Sequence, residues 1–155
     1  MILMEIVGVR IELPTNQPIV LLREKDGERI LPIWIGVSEA IAIALHLQQV
    51  ETARPMTHDL LKNMLDELKV TPEKVVIDDL VDGTFYATIT LNDKKAHQIS
   101  SRPSDAIALA VRCDTPVYTE EKILDEASIV LETIEEEVDR FRDFLEDINP
   151  EDFEA

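Results

Sequence analysis

The sequence predicts an α+β protein made of two consecutive β-β-β-α units, in which two apolar helices are buried against sheet. The first observation is a repeat: the eight residues that begin at Ser38 return at Ser104, 66 positions later, with five of the eight identical. The second is that turn sequences keep this offset, since Pro14–Gln17 corresponds to Leu80–Gly83. The third is composition: 45% of the 155 residues are hydrophobic and only four are glycine, which is typical of a chain with a core.

Each unit is expected to contain three strands and a helix. In the first unit, Val7, Val9 and Ile11 alternate with polar residues or glycine, which predicts a half-buried strand. The helix of this unit is expected to have Ser38 as its N-cap, with Glu39 stabilised by the positive end of the helix dipole. The remaining strands are predicted at 19–22 and 29–35 in the first unit and at 74–77, 84–91 and 96–100 in the second.

The helix of the second unit is expected to have Ser104 as its N-cap, with Asp105 in the position of Glu39. Both helices have little polarity over a full turn or more. A helix that is apolar all round belongs in the interior of a protein. The sequence therefore predicts that both helices are buried.

Two segments lie outside the repeat. An inserted helix at 54–70 is expected to have Thr57 as its N-cap, and its apolar stripe comprises Leu60, Leu61, Met64, Leu65 and Leu68. A heptad seam from Ala127 to Ile148 predicts an acidic amphipathic helix that docks on the body or on a second subunit. The predicted division is one domain at 1–130, with units at about 4–50 and 73–112, and an acidic C-terminal helix and tail at 131–155.

The charge is concentrated near the C-terminus. Residues 1–118 hold 17 acids and 12 bases, whereas residues 119–155 hold 15 acids and 3 bases, which together give the net charge of −17. Phosphate binding normally depends on Lys and Arg, so long-range attraction to nucleic acid is not expected, although a local basic site remains open. The single Cys113 excludes an intramolecular disulfide framework. Because no secretory signal or membrane span is visible, we expect a cytoplasmic protein with no membrane partner.

Two places combine an arginine, a proline and the start of a helix, namely Arg54–Pro55 and Arg102–Pro103. A guanidinium beside free backbone N–H groups is a reasonable site for a phosphate or a carboxylate. The alternative is structural: Asp59 and Asp105 serve their own helix dipoles, and each arginine pairs with a carboxylate. The histidine of the inserted segment, His58, has the chemistry of a general base, a general acid or a metal ligand. No established catalytic motif accompanies these residues, so they permit catalysis without demonstrating it.

Three motifs follow one another along the chain, namely Leu31–Gly36 with Glu39–Ala40, then Arg54–Leu60, and then Arg102–Arg112. In this order and at this spacing they resemble the bifunctional nuclease family. The resemblance runs over about residues 1–130 and implies hydrolysis of phosphodiester bonds in DNA and RNA. The chain has Ser100 where the family often has an aspartate. If that aspartate is a metal ligand in the family, the resemblance implies that metal-assisted cleavage is weakened in this chain.

The resemblance also implies roles for particular residues. Arg54 and Arg102, with Ser104, would bind the substrate phosphate. His58 would be the general base or acid, and Asp59 or Asp105 would orient it or bind Mg²⁺ or Mn²⁺. In the alternative hypothesis the motifs are structural and the chain is a non-catalytic, oligomeric binding or regulatory module. A homodimer or a larger homo-oligomer is expected under either hypothesis.

Overall fold

The predicted α+β class is confirmed by a computed structural model, which describes residues 1–12 and 15–130, with the side chain of Glu12 excepted. The strands are β1 Ile2–Glu12, β2 Gln17–Glu24, β3 Arg29–Trp34, β4 Pro72–Val81, β5 Thr84–Leu91, β6 Gln98–Ser101, β7 Val117–Thr119 and β8 Ile129–Val130. The helices are α1 Val37–Leu47, α2 Thr57–Glu67, α3 Pro103–Cys113 and α4 Glu121–Ala127. The predicted acidic helix at 131–155 lies outside the described residues.

The described strands form one eight-stranded sheet in the order β6-β5-β4-β7-β1-β2-β3-β8. Neighbouring strands are antiparallel, except that β4 and β7 are parallel. The segments β1-β2-β3-α1 and β4-β5-β6-α3 have the same element order, and their first strands, β1 and β4, flank β7. That the two units are copies of one plan stays a prediction.

The sheet is curved. Helix α4 packs against both β3 and β4, which are four steps apart in the strand order. Four steps of about 4.8 Å would place these strands roughly 19 Å apart in a flat sheet. A helix of seven residues is only about 10 Å long, so the sheet must curl to bring both strands to it.

The two apolar helices pack against each other and against the sheet, but they are not buried equally. Eight residues of α3 are buried, because α3 lies between the sheet and both α1 and α2. In α1 only Ala40, Ala42 and Ile43 are buried, whereas Val37 and Ile41 are 62% and 48% exposed. The prediction of two buried helices is therefore right for α3 and wrong for α1, whose outer face has no covering element among the described residues. None of the described helices is long and apolar enough to cross a membrane.

Most of the apolar stripe of α2 points outward, since Leu60, Met64 and Leu68 are 52%, 54% and 71% exposed, whereas Leu65 packs against the core. The prediction that Val7 and Ile11 share the buried face of a strand is wrong. On β1, Val7 and Ile11 are also exposed. A register shift between Ile6 and Gly8 in the pairing with β2 changes which side chains face the core, and Met4 is the buried residue of this strand.

The N-caps of the three longer helices lie one or two residues before the predicted ones. The actual N-caps are Gly36, Met56 and Arg102, whose carbonyls accept from the N–H groups of Ala40, Leu60 and Ala106. The predicted N-caps Ser38, Thr57 and Ser104 are therefore corrected to positions inside the first turns. Pro103 explains the start of α3, because proline fits the first helical position. As a result Glu39, Asp59 and Asp105 each occupy the third position of a helix, where the helix dipole stabilises a carboxylate.

Candidate functional site

Four side chains from the first turns of α1, α2 and α3 form one hydrogen-bonded cluster, which we call the helix-start cluster: Glu39, His58, Arg102 and Asp105. Nε2 of His58 lies 3.0 Å from Oδ1 of Asp105. Nε of Arg102 donates to Oδ2 of Asp105 at 3.0 Å, and Nη2 of Arg102 contacts both Asp105 and Glu39. The structure thus brings together three of the predicted site residues and adds Glu39.

Arg102 has the most solvent-exposed side chain of the helix-start cluster. Its side chain is 65% exposed, whereas the residue His58 is 7% exposed. Asp105 first and Glu39 second raise the pKa of the Arg102 guanidinium above its usual value, which keeps it charged. Guanidinium has five N–H donors, and the two carboxylates engage Nε and Nη2. The two donors of Nη1 have no partner among the described residues, so Arg102 can still bind an anion.

Arg112, which the sequence did not single out, connects all three helices. Its Nε donates to Oδ1 of Asp59 in α2 at 2.6 Å. Its Nη1 donates to the carbonyl of Ala108 in α3 at 2.8 Å, and its Nη2 to the carbonyl of Ala42 in α1 at 3.0 Å. The Arg112 side chain is 5% exposed, so this set of contacts, which we call the Arg112 clamp, fixes α2 on the α1–α3 pair.

The Arg112 clamp gives Asp59 a structural partner. The backbone N–H of Met56 donates to Oδ2 of Asp59 at 3.0 Å. This bond, followed by the hydrogen bond from Arg112, lowers the pKa of the Asp59 carboxyl below its usual value. Asp59 is therefore ionised at neutral pH, and both of its oxygens are occupied.

The remaining two predicted site residues lie apart from these contacts. Arg54 is exposed in the loop before α2, and its side chain has no ionic partner among the described residues. Ser104 is 5% exposed and lies in the first turn of α3. Among the described residues no hydrogen bond or ion pair joins Arg54 to the helix-start cluster, and a phosphate site that uses both Arg54 and Arg102 stays a prediction.

The Glu39 carboxylate lies in the space that a side chain at position 36 would use, and Gly36 leaves this space free. A Cβ atom built on Gly36 would lie 2.3 Å from Oε2 of Glu39. The carboxylate thus occupies the space of the missing side chain while its other oxygen accepts from Arg102. The glycine of the first motif and the arginine of the third are linked in this way through Glu39.

Two cavities border these contacts. The larger, of about 750 Å³, lies between the end of α1 and the loop before α2 and is lined in part by His46, Asp59 and Arg112. The smaller, of about 350 Å³, is lined by residues that include Trp34, Gly36, Phe85, Arg102 and Ser104. We call the smaller one the Trp34 cavity. Arg102 is the member of the helix-start cluster that opens onto it, since His58 and Asp105 line neither cavity.

The described residues do not fit the Mg²⁺ or Mn²⁺ that the sequence left open. No group of three or more His, Cys, Asp or Glu side chains in the described part of the chain is placed to hold a metal ion. The carboxylates of Asp59 and Asp105 are each paired with an arginine, whose positive charge disfavours a metal cation at the same carboxylate. Burial raises the pKa of the Cys113 thiol, which disfavours the reactive thiolate.

Signals for the missed residues were present in the sequence. Arg112 is a charged residue at the end of an otherwise apolar helix, and a charged residue that becomes buried almost always has a partner. Glu39 stands at the repeat position of Asp105, which indicated equivalent placement without revealing a shared partner. Trp34 was assigned to a strand, and nothing in that pattern revealed that it is 53% exposed beside Arg102.

Comparison with known proteins agrees with this arrangement of three motifs at adjoining helix starts. A family model described as the bifunctional nuclease domain matches residues 20–132. This range covers most of β2, all of β3 to β8, and every residue of the helix-start cluster and the Arg112 clamp. The chain belongs to the bifunctional nuclease domain family.

The relatives differ in how much is known of them. An uncharacterized protein of Mycobacterium tuberculosis is 44% identical over 160 residues, covering 97% of this chain and 96% of its own length. The Bifunctional nuclease 2 of Oryza sativa subsp. japonica is 32% identical over 106 residues, covering 65% of this chain and 33% of that protein. The Bifunctional nuclease 1 of Arabidopsis thaliana is 29% identical over 105 residues, with 64% and 32% coverage. The plant proteins are thus about three times as long as the part they share with this chain.

Proposed function

We propose that this protein hydrolyses phosphodiester bonds in nucleic acid and that the helix-start cluster is its site. The observation that supports this most directly is the chain of contacts His58–Asp105–Arg102, which joins an imidazole–carboxylate pair to an open guanidinium. A guanidinium matches the geometry of phosphate oxygens and stabilises the charge that develops on them. Membership of the bifunctional nuclease domain family supports the same reaction.

Each side chain has a distinct role in the proposed reaction. Arg102 binds the phosphate through its Nη1 donors while Glu39 and Asp105 hold the guanidinium in place. In hydrolysis, a water oxygen forms a bond to phosphorus, the bond to one ester oxygen breaks, and a proton passes from the water to that leaving oxygen. His58 is the group in the cluster that can accept and return this proton, and Asp105 would hold its ring and stabilise the imidazolium.

The test is cleavage of labelled single-stranded DNA and RNA by purified wild type, with Arg102→Ala and His58→Ala beside it. Loss of one oriented charge contact of this kind lowers kcat/KM by about 10²–10³. His58→Gln separates two roles, because glutamine can still donate to Asp105 but cannot carry the proton. If His58→Gln keeps the wild-type rate, His58 positions Asp105 and does not transfer a proton. Cleavage that survives both alanine substitutions would come from a contaminant and would refute the proposal.

A second candidate function is favoured by the exposed stripe on α2. Leu60, Leu61, Met64 and Leu68 lie on one exposed helical face, and such a patch on a soluble protein marks an interaction site. The charges of Asp59 and Asp105 are also fully paired, as expected of a structural network. We therefore consider a non-catalytic oligomeric binding or regulatory module as the alternative.

The test of this alternative is sedimentation of wild type beside a Leu60→Lys plus Met64→Lys variant. The alternative predicts an oligomer that dissociates in the variant, together with no cleavage by either protein. A wild-type monomer would refute it. A nuclease whose oligomer dissociates without loss of cleavage would show that the α2 stripe is an interface separate from catalysis.

A further inference from the structure

The Trp34 cavity lies where the two halves of the chain face one another. It is lined by Trp34 and Gly36 at the end of β3 and by Phe85 near the start of β5. In the strand order, β3 and β5 are five steps apart, so only the curl of the sheet brings them to one cavity. Arg102 and Ser104 of the β6–α3 junction complete the lining.

The offset of 66 residues relates opposite parts of this lining. Gly36 corresponds to Arg102, and Gln17, which also lines the cavity, corresponds to Gly83. The cavity therefore receives equivalent positions from both units. Two differences between the units place a large side chain in the lining: Trp34 stands where the second unit has Ser100, and Arg102 stands where the first has Gly36. Trp34 of the first unit and Arg102 of the second are therefore large side chains without an equivalent in the other unit.

Trp34 and Arg102 supply two complementary kinds of contact. Trp34 is 53% exposed, which is costly for a large apolar ring unless its face is used in binding. Phe85 and Ile33 add apolar surface to the same cavity. Arg102 offers free Nη1 donors at its edge. A flat apolar platform beside a phosphate-binding group is the combination that recognises one nucleotide of a single strand.

We infer that the Trp34 cavity binds one unpaired base, stacked on the indole of Trp34, while the adjoining phosphate contacts Nη1 of Arg102, so that the substrate is single-stranded. This inference rests on the proposed function for its substrate class. The volume of about 350 Å³ suits a single nucleotide unit and is too small for a duplex groove. A base within a duplex is paired and stacked, and its face is not available without unstacking.

The charge of the protein agrees with recognition by stacking. A chain with a net charge of −17 gains little from general attraction to phosphates, so the affinity must depend on a local contact. One phosphate contact to a single strand gives a slope of about −0.7 in log K against log salt concentration. We expect binding with a slope of this size, and we expect Arg102→Gln to reduce the slope to near zero.

The first experiment uses the intrinsic fluorescence of Trp34, which is the single tryptophan of the chain and so reports on this cavity alone. Wild type is titrated with a short oligodeoxythymidylate and, separately, with the duplex that it forms with oligodeoxyadenylate. The expected result is quenching by the single strand and no quenching by the duplex. Equal quenching by both would overturn the inference of single-strand selectivity. Emission that changes with protein concentration but not with oligonucleotide would assign Trp34 to a contact between protein copies, and it would also overturn the inference.

The second experiment compares variants by the anisotropy of a labelled single strand. Trp34→Leu removes the stacking face and is expected to weaken binding about 5- to 150-fold, the equivalent of ~1–3 kcal/mol per stacked base. Trp34→Phe keeps a ring and should recover part of the affinity. Tyr86→Leu is the matched control, because Tyr86 is an exposed aromatic residue of β5 that does not line the cavity. Equal affinities of wild type and Trp34→Leu would overturn the inference.

Cleavage assays on the same proteins distinguish this inference from the proposed function. If wild type cleaves single strands and Trp34→Leu cleaves them with unchanged kcat/KM, the base site is refuted and the nuclease stands. If the single strand quenches Trp34 but no variant or wild type cleaves it, the base site stands and the nuclease is refuted. If the single strand is neither bound nor cleaved, both are refuted.

Discussion

Arg112 allows a sharp test of how the helices around the site are held together. The variant Arg112→Met keeps an unbranched apolar stem but removes the guanidinium and with it the contacts to Asp59, Ala42 and Ala108. Removing one partner of a buried ion pair costs about 3–5 kcal/mol. The Asp59 side chain is 34% exposed and can be hydrated in the variant, and the carbonyls of Ala42 and Ala108 lie within helices. We therefore expect a cost at the low end of this range. The predicted loss is about 3 kcal/mol of unfolding free energy.

The assay is urea unfolding at neutral pH, with Arg54→Met as the matched control. The chemical change is the same in both variants, but Arg54 is exposed and has no ionic partner among the described residues. The control is expected to change stability by less than about 0.5 kcal/mol. In thermal unfolding, a loss of about 3 kcal/mol corresponds to a fall in Tm of roughly 6–12 °C for a chain of this size. If Arg112→Met and Arg54→Met unfold at the same urea concentration, the Arg112 clamp does not stabilise the fold.

Two further predictions concern the helix starts. Gly36→Ala should displace the Glu39 carboxylate from Arg102, because the new Cβ would lie 2.3 Å from Oε2. Gly36→Ala and Glu39→Ala should therefore reduce kcat/KM by similar factors. Additive effects of the two substitutions in the double variant would contradict this account. Asp59 has a lowered pKa through Met56 and Arg112, so its contribution to stability is complete above its unfolded pKa of about 4 and is lost as pH falls through the lower folded value. In urea unfolding, the free energies of unfolding of wild type and Asp59→Asn should differ by a constant amount from pH 8 to pH 5, and the two values should converge below about pH 4. A difference that grows as the pH falls would refute this role of Asp59.

The local sequence pattern predicted the order of the main strands and helices, but it did not predict which faces of α2 and β1 point to the core. The repeat, the turns and the proline at Pro103 indicated where strands and helices begin, because these signals act within one turn of chain. The stripe of Leu60 and Met64 indicated a helix but not its orientation. Polar contacts decided that orientation, since the first turn of α2 is held by His58 to Asp105 and by Asp59 to Arg112.

The sequence by itself predicted two related units, and it showed that Arg102 has no counterpart at the matching position, Gly36, of the first. It also determined that acids stand near the starts of three helices, where helix dipoles stabilise them. Only the tertiary structure decided which side chains are hydrogen-bond partners in the helix-start cluster. Arg102 and Glu39 are 63 residues apart in the sequence, and Asp105 and His58 are 47 residues apart. Such contacts depend on how helices cross, which no periodic pattern records. The Trp34 cavity has the same origin: Trp34 and Arg102 share one cavity because the sheet curls, and curvature is a property of all the strands together.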